Sequence, residues 1–411
     1  MTDHVIIVGA GHAAGQAAAS LRAEGYEGPL TLIGEEAYLP YQRPPLSKKF
    51  LAGEIEFDRL YFKPPEFYEQ ANVAVRLNCE VTAIDRSTHE LSVQDLTTSH
   101  VETVPYSKVI LATGGRVRTL SMPGAELDGV HYLRTIADVT AIQSHFKEGA
   151  KLAIVGGGYI GLEVAAVAVK RGLQVTVIEM APSVLARVVD PIVSRFYERV
   201  HREEGVVLKT GVGVTGFEGA GRVERVMCTD GSAVEADFVI AGIGIIPNVE
   251  LAQHAGLKVD NGIIVDEYCR TDDPDILAIG DCTNHPNGLI GRRLRLESVH
   301  NALEQGKTAA ATICGKLKPY EQIPWFWSDQ YDLKLQIVGL SAGYDQAVVR
   351  GDPETGRSFA VFYLKDGVLI AVDAINRAPE FMMSKMLIAK KTRLDPKRIA
   401  DETVPVKELA A

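Results

Sequence analysis

The sequence predicts an α/β protein, and two observations carry that expectation. The first is a pair of glycine-rich segments, each placed where an apolar strand should turn into a helix. Val5-Ile6-Ile7-Val8 runs into Gly9-Ala10-Gly11-His12-Ala13-Ala14, and Leu152-Ala153-Ile154-Val155 runs into Gly156-Gly157-Gly158-Tyr159-Ile160-Gly161. The second is that each segment is followed by another apolar strand ending on an acid. Leu30-Thr31-Leu32-Ile33-Gly34 leads into Glu35, and Val175-Thr176-Val177-Ile178 into Glu179. Two Rossmann-like dinucleotide-binding domains are therefore expected, plus a C-terminal α+β domain with an antiparallel sheet, where the pattern changes after about residue 323.

Each residue of such a unit has a physical task. Gly9 and Gly156 make the tight turn. Gly11 and Gly158 let the backbone approach a pyrophosphate. Ala14 and Gly161 let the helix pack on the strand, and Glu35 and Glu179 suit a pair of ribose hydroxyls. One such motif alone is weak evidence, because glycine-rich strand-helix turns recur without ligands. Two complete units imply two dinucleotides, a flavin and a nicotinamide, with electron transfer between them.

The 411 residues allow two to three domains. Hydrophobic content of 46% and charged content of 23% are ordinary for a globular chain. A net charge of −10 argues against a nucleic-acid role. The most apolar long stretch, Leu152 to Val169, carries Glu163 and four glycines, so it reads as strand-turn-helix and no membrane span is expected. Met1-Thr2-Asp3-His4 enters a strand at once, leaving no room for a signal peptide. The five cysteines, Cys79, Cys228, Cys269, Cys282 and Cys314, form no CxxC pair. No metal site is expected, and reduced structural thiols suit a cytoplasmic location.

Along the chain, the first unit closes on Val109-Ile110-Leu111-Ala112-Thr113-Gly114-Gly115, a buried strand and glycine turn. The second closes similarly on Phe238-Val239-Ile240-Ala241-Gly242-Ile243-Gly244, then Pro247-Asn248, which suggests an internal duplication. A third apolar strand ends in Ile276-Leu277-Ala278-Ile279-Gly280-Asp281, and a helix is expected from Ser298 to Ala311. Leu333–Leu340, Ala347–Arg350 and Phe359–Asp373 read as antiparallel strands with Lys365-Asp366-Gly367 as a hairpin turn, and a helix is expected over roughly Glu380–Lys391. The expected domains are 1–115 with 248–322 for FAD, 116–247 for NAD, and 323–411 as a C-terminal interface domain.

The two fingerprints, Ala112-Thr113-Gly114 and Ile279-Gly280-Asp281, in that order, resemble the two-dinucleotide flavoprotein reductases. Within them, Arg43-Pro44-Pro45-Leu46-Ser47-Lys48 and Pro324-Trp325-Phe326-Trp327-Ser328-Asp329-Gln330 are similar to segments of the NADH-dependent ferredoxin reductases that serve bacterial oxygenases. The resemblance runs essentially end to end. It implies FAD contacts at Gly9, Gly11, Ala13, Ala14, Glu35, Arg43, Lys48, Val81, Ala112, Thr113, Gly114, Arg134, Asp281, Glu297, Ser298, Val299 and Trp325. It implies NAD contacts at Gly156, Gly158, Tyr159, Ile160, Gly161, Glu163, Glu179, Gly242, Ile243 and Gly244. Lys48 and Glu163 are expected at the reacting face, where a pair would orient the nicotinamide and balance charge; two solvated surface charges are the plainer alternative. The helix beginning near Ser298 would aim its positive N-terminal end at the flavin pyrimidine edge.

Glu179 favours NADH, since an acid there would repel the 2′-phosphate of NADPH and no basic residue follows until Arg187. Tyr38 to Phe50 contains no cysteine, so a redox-active thiol is not expected and electrons leave the flavin directly. The resemblance implies an acidic two-iron, two-sulfur ferredoxin as a transient partner, an oxygenase behind it, and a monomer or weak dimer. Seven basic residues against two acids between Arg377 and Arg398 are a candidate docking patch, or simply a helix end favoured by its dipole. A rubredoxin reductase, an NADH oxidase-like diaphorase, or a redox interaction protein like the apoptosis-inducing factor would share the cofactor motifs.

Overall fold

The computed structural model describes residues 3–410; Met1, Thr2 and Ala411 lie outside the described residues, so the N-terminal reading is followed only from Asp3. The chain forms two compact units, each with its own core. One comprises Met1–Arg43, Phe57–Arg116 and Ile246–Pro324, the other Pro44–Glu56, Val117–Ile245 and Trp325–Ala411.

The first unit is built on a five-stranded parallel sheet. Its order is Ile276–Ala278, Lys108–Leu111, Val5–Val8, Leu30–Ile33, Val73–Arg76. The four residues Val5 to Val8 are all buried, as a strand covered on both faces requires. Alternation then sorts them. Val5 and Ile7 join a cluster with Ala14, Ala17, Leu21, Ala309 and Ala310 from the helices His12–Ala23 and Val299–Ile313. Ile6 and Val8 join Val81, Leu91 and Val93 from an antiparallel trio, Cys79–Asp85, Glu90–Asp95 and Val101–Pro105. Helices thus cover one face and a meander the other.

The second unit repeats this plan. Its parallel sheet runs Val207–Thr210, Gln174–Glu179, Lys151–Val155, Phe238–Ala241, Val130–Tyr132. Again the glycine fingerprint follows the central strand, and again an antiparallel trio, Val214–Glu218, Arg225–Cys228 and Ala233–Glu235, packs on one face. The edge strands differ in origin: Ile276–Ala278 comes after its sheet-mates in the chain, Val130–Tyr132 before them.

The same unit carries a five-stranded antiparallel sheet in the order Trp325–Gln330, Leu333–Gly339, Val368–Ile375, Phe359–Lys365, Gln346–Gly351. Asp366 and Gly367 both have positive φ, +50° and +74°, the geometry a two-residue hairpin needs to match strand twist. The helix after it spans Ala378–Ala389. The first strand, Trp325–Gln330, escaped the sequence reading because its aromatic run shows no apolar-polar alternation. The molecule is therefore α/β, with two Rossmann-like sheets and a C-terminal α+β portion.

Candidate functional site

In the first unit Gly9 shapes the fingerprint turn. Its φ is +117°, and a Cβ there would collide with the Ala112 carbonyl oxygen. Gly11 differs. Its φ of −93° suits any residue, yet a Cβ would meet nothing within 4 Å. Open space therefore lies before the start of helix His12–Ala23, whose first turn has no side-chain cap. The orphan N–H groups of such a turn, with the helix dipole, make an anion site. Ala13 and Ala14 are buried behind it.

Two other first-unit segments, those of Ala112 and Asp281, pack against this turn. Gly280, φ +83°, would place a Cβ 3.1 Å from that of Ala13, so the turn bearing Asp281 lies against the fingerprint helix. That turn is held by Gln305, whose Oε1 accepts from the Gly280 N–H at 2.6 Å and the Thr283 hydroxyl at 3.0 Å. Ala112 accepts its place through a 2.8 Å bond from its N–H to the Val8 carbonyl. Thr113 and Asn248 exchange side chain-to-backbone bonds of 2.7 and 2.9 Å, and the Asn248 N–H reaches the Gly114 carbonyl at 3.0 Å. Glu35 is exposed past Gly34; partial desolvation, then Glu80 and Glu36, raise its pKa. Arg43 is ion-paired with Glu36 at 2.7 Å. Val81 is buried in Cys79–Asp85. Ser298 caps helix Val299–Ile313 by accepting from the Asn301 N–H at 3.1 Å, and Glu297 pairs with Arg295 at 2.5 Å. One of that helix's first N–H groups is thus already taken.

In the second unit Gly156 has φ +108° and would set a Cβ 2.5 Å from the Gly242 carbonyl oxygen. A Cβ on Gly161 would collide with the Gly156 carbonyl, which is why only glycine lets this helix approach its strand. Gly158 is again open, with nothing within 4 Å and no side-chain cap on helix Tyr159–Lys170. Glu179 accepts from the Gly157 N–H at 2.6 Å and from the Ala181 N–H at 2.7 Å. Ile160 is exposed, while the Tyr159 ring lies 4.6 Å from that of Phe326. Gly242, Ile243 and Gly244 follow the strand Phe238–Ala241, Gly244 with φ +102°. Both cradles have the shape a pyrophosphate needs.

Lys48, Arg134 and Trp325 fall in this second unit, apart from the other residues expected at FAD. The Arg134 N–H donates to Asp138 at 2.9 Å beside the cap of helix Ile136–Gln143. Trp325 lies beneath the Lys385 ammonium, 4.4 Å from its ring centre. Lys48 Nζ meets Glu163 Oε2 at 2.7 Å. Glu163 is only 2% exposed, so the solvated-charge alternative does not describe it. Two hydroxyls complete its shell, Ser47 on Oε2 at 2.5 Å and Ser328 on Oε1 at 2.6 Å. A buried carboxylate needs such donors and a cation to stay ionised. The sequence reading did not single out Ser47 or Ser328. Both lie inside motifs it quoted, but nothing in a linear pattern aims a serine at Glu163.

All five cysteines are free, four of them buried, and burial pushes the thiols of Cys269 and Cys282 up. Among the described residues no cluster of ligands could hold a metal ion, and no helix is long and apolar enough to cross a membrane.

Residues 3–306 match the model of the pyridine nucleotide-disulphide oxidoreductase family, and residues 325–410 that of the reductase C-terminal domain. Putidaredoxin reductase CamA of Pseudomonas putida is 44% identical, over 100% of this chain and 97% of the relative. The chain belongs to the ferredoxin reductases of the pyridine nucleotide-disulphide oxidoreductase family. A rubredoxin-NAD(+) reductase of Pseudomonas putida is 41% identical over 90% of this ferredoxin reductase chain and 95% of its own. The crystal structure of the covalent putidaredoxin reductase–putidaredoxin complex superimposes with a TM-score of 0.95 at 44% identity, covering 99% of this ferredoxin reductase and 98% of that chain.

Proposed function

We propose that this chain is an FAD-containing NADH:ferredoxin oxidoreductase that passes electrons to a two-iron, two-sulfur ferredoxin feeding an oxygenase such as a cytochrome P450 monooxygenase. The observation that carries the reading is the pair of open, uncapped glycine cradles in a chain whose cysteines form no disulphide. FAD is assigned to the first cradle and NADH to the second. The domains then read 1–115 with 248–322 for FAD, 116–247 for NAD, and 323–411 as the interface domain. The enzyme is read as cytoplasmic, consistent with free thiols.

Bound FAD would supply the chemistry, taking a hydride from NADH and giving its electrons up singly. The chain's residues bind and orient. Gly11 and Gly158 leave room for pyrophosphates, and the uncapped N–H groups meet their charge. Glu35 and Glu179 suit ribose hydroxyls, and Asp281 a ribityl hydroxyl. Lys48, with its ammonium fixed by Glu163, supplies a placed positive charge for a flavin gaining electrons. Glu163 keeps that charge from drifting.

Anaerobic stopped-flow mixing of NADH-reduced protein with two-iron, two-sulfur ferredoxins and rubredoxins tests the reading. Ferredoxin reduction far faster than dye or oxygen reduction is expected. The rubredoxin-NAD(+) reductase likeness supports a second reading, and faster transfer to rubredoxin would replace the first with it.

A further inference from the structure

Glu163 is the end of a chain of hydrogen bonds that runs inward. Ser328 Oγ contacts Glu163 Oε1 at 2.6 Å, and Gln330 Nε2 contacts Ser328 Oγ at 3.1 Å. Gln330 Oε1 lies 2.8 Å from His201 Nε2, and His201 Nδ1 lies 2.9 Å from the Tyr331 hydroxyl. Ser328, Gln330 and His201 are each at most 1% exposed, so water does not supply their bonds. Ser328 and Gln330 share one face of strand Trp325–Gln330, two residues apart, while His201 comes from helix Pro191–Glu203.

The chemistry allows one direction. An ionised carboxylate only accepts, so Ser328 must donate to Glu163. Its oxygen then accepts from the Gln330 amide. The Gln330 carbonyl must accept, which makes His201 the Nε2–H tautomer, and its Nδ1 accepts from Tyr331. Every link donates towards Glu163. Aligned bonds in a dry interior polarise one another and fix the terminal geometry. Burial lowers the His201 pKa to about 4, so its imidazole stays neutral, as the chain requires.

We propose that Ser328, oriented by Gln330 and His201, is a positioning residue that holds Glu163, and through it the Lys48 ammonium, in place for reduction of the flavin by NADH. This rests on the reading of Lys48 and Glu163 given above. The neutral imidazole distinguishes this device from a proton relay: no proton leaves the chain.

The holoenzyme tests it. Ser328→Ala should slow flavin reduction at saturating NADH by about tenfold, near one lost hydrogen bond to a charged group, with the dissociation constant for NADH nearly unchanged. Ser328→Thr, which keeps the hydroxyl, should recover most of the rate. In a Lys48→Met background Ser328→Ala should add little, because the two act as one unit. A second readout needs no turnover. In protein labelled with [15N]histidine, the His201 ring, assigned by its loss in His201→Asn, should show the neutral Nε2–H tautomer down to pH 5. An Nδ1–H tautomer, or full additivity of the two substitutions, overturns the inference. If Lys48→Met itself leaves flavin reduction unchanged, the role of the Lys48–Glu163 pair fails instead. Should Ser328→Ala fail to fold, Gln330→Met gives the same rate test with the Ser328 hydroxyl still present, and an unchanged rate there also overturns the inference.

Discussion

Glu179 accepts the Gly157 backbone N–H at 2.6 Å, so the acid that ends one strand also fastens the glycine turn that ends its neighbour. Its other oxygen takes the Ala181 N–H at 2.7 Å. Each carboxylate oxygen keeps a lone pair for a ribose hydroxyl. Glu179→Ala is expected to raise the KM for NADH by about tenfold with a smaller change in kcat, because the contact is remote from the reacting atoms. Glu179→Arg should move preference towards NADPH. Steady-state kinetics with both nucleotides decide this; a wild type that already prefers NADPH rules Glu179 out as a ribose ligand.

The open glycines predict cofactor loss without unfolding. Gly11→Val and Gly158→Val place their side chains in empty space on ordinary backbone. The first should purify colourless, while wild type is yellow with one noncovalent FAD per chain. The second should keep its flavin spectrum but no longer be bleached by NADH. Absorption spectra and circular dichroism check both. A fully yellow Gly11→Val protein would remove that cradle from the FAD site.

Lys48→Met strands Glu163 at 2% exposure without its cation. A loss of about 3–5 kcal/mol of stability is expected from such a buried pair, moderated here by the serine donors. Flavin reduction by NADH should slow more than ferredoxin reduction. Single-turnover mixing and denaturant titration measure the two effects separately.

Lys390 caps helix Ala378–Ala389 and Lys391 follows it with φ +49°; both are exposed and without an ion pair among the described residues. Other members of the basic run are engaged, Arg377 with Glu402 at 2.6 Å and Arg398 with the Glu408 carbonyl at 2.7 Å. If Lys390 and Lys391 steer an acidic ferredoxin, reversing both to Glu should slow ferredoxin reduction at low salt and flatten its salt dependence. NADH reduction of the flavin should not change. An unaltered salt slope would make them a solvated helix end.

Asp373 is wholly buried, and burial raises its pKa to about 7 despite the Tyr363 hydroxyl 2.6 Å away. Its folded pKa lies above the unfolded one near 4. The stability it favours is thus complete below about pH 4 and lost as pH rises through about 7. Asp373→Asn should gain melting temperature over wild type at pH 8 and not at pH 4. Equal shifts at both would show that the folded pKa of Asp373 is not raised.

Much of the architecture was legible in the linear chain because it is local. Val5 to Val8 and Leu152 to Val155 are apolar runs, the glycines after them break the chain into turns, and Asp366-Gly367 can take the positive φ a tight hairpin demands. The antiparallel strands after residue 333 and the helices near Ser298 and Glu380 follow from the same short-range periodicity. Trp325–Gln330 did not, since its half-buried aromatic run, Trp325 to Trp327, shows no apolar-polar alternation. Local pattern therefore dictates the pair of dinucleotide folds and the glycine and acid positions that go with them. The ion pair between Lys48 and Glu163, 115 residues apart, arises only from packing. Packing alone encloses that pair with Ser47 and Ser328, and aligns Gln330, His201 and Tyr331 behind it. Burial and hydrogen-bond direction belong to the packed chain, because they depend on which distant elements exclude water from the same few ångströms.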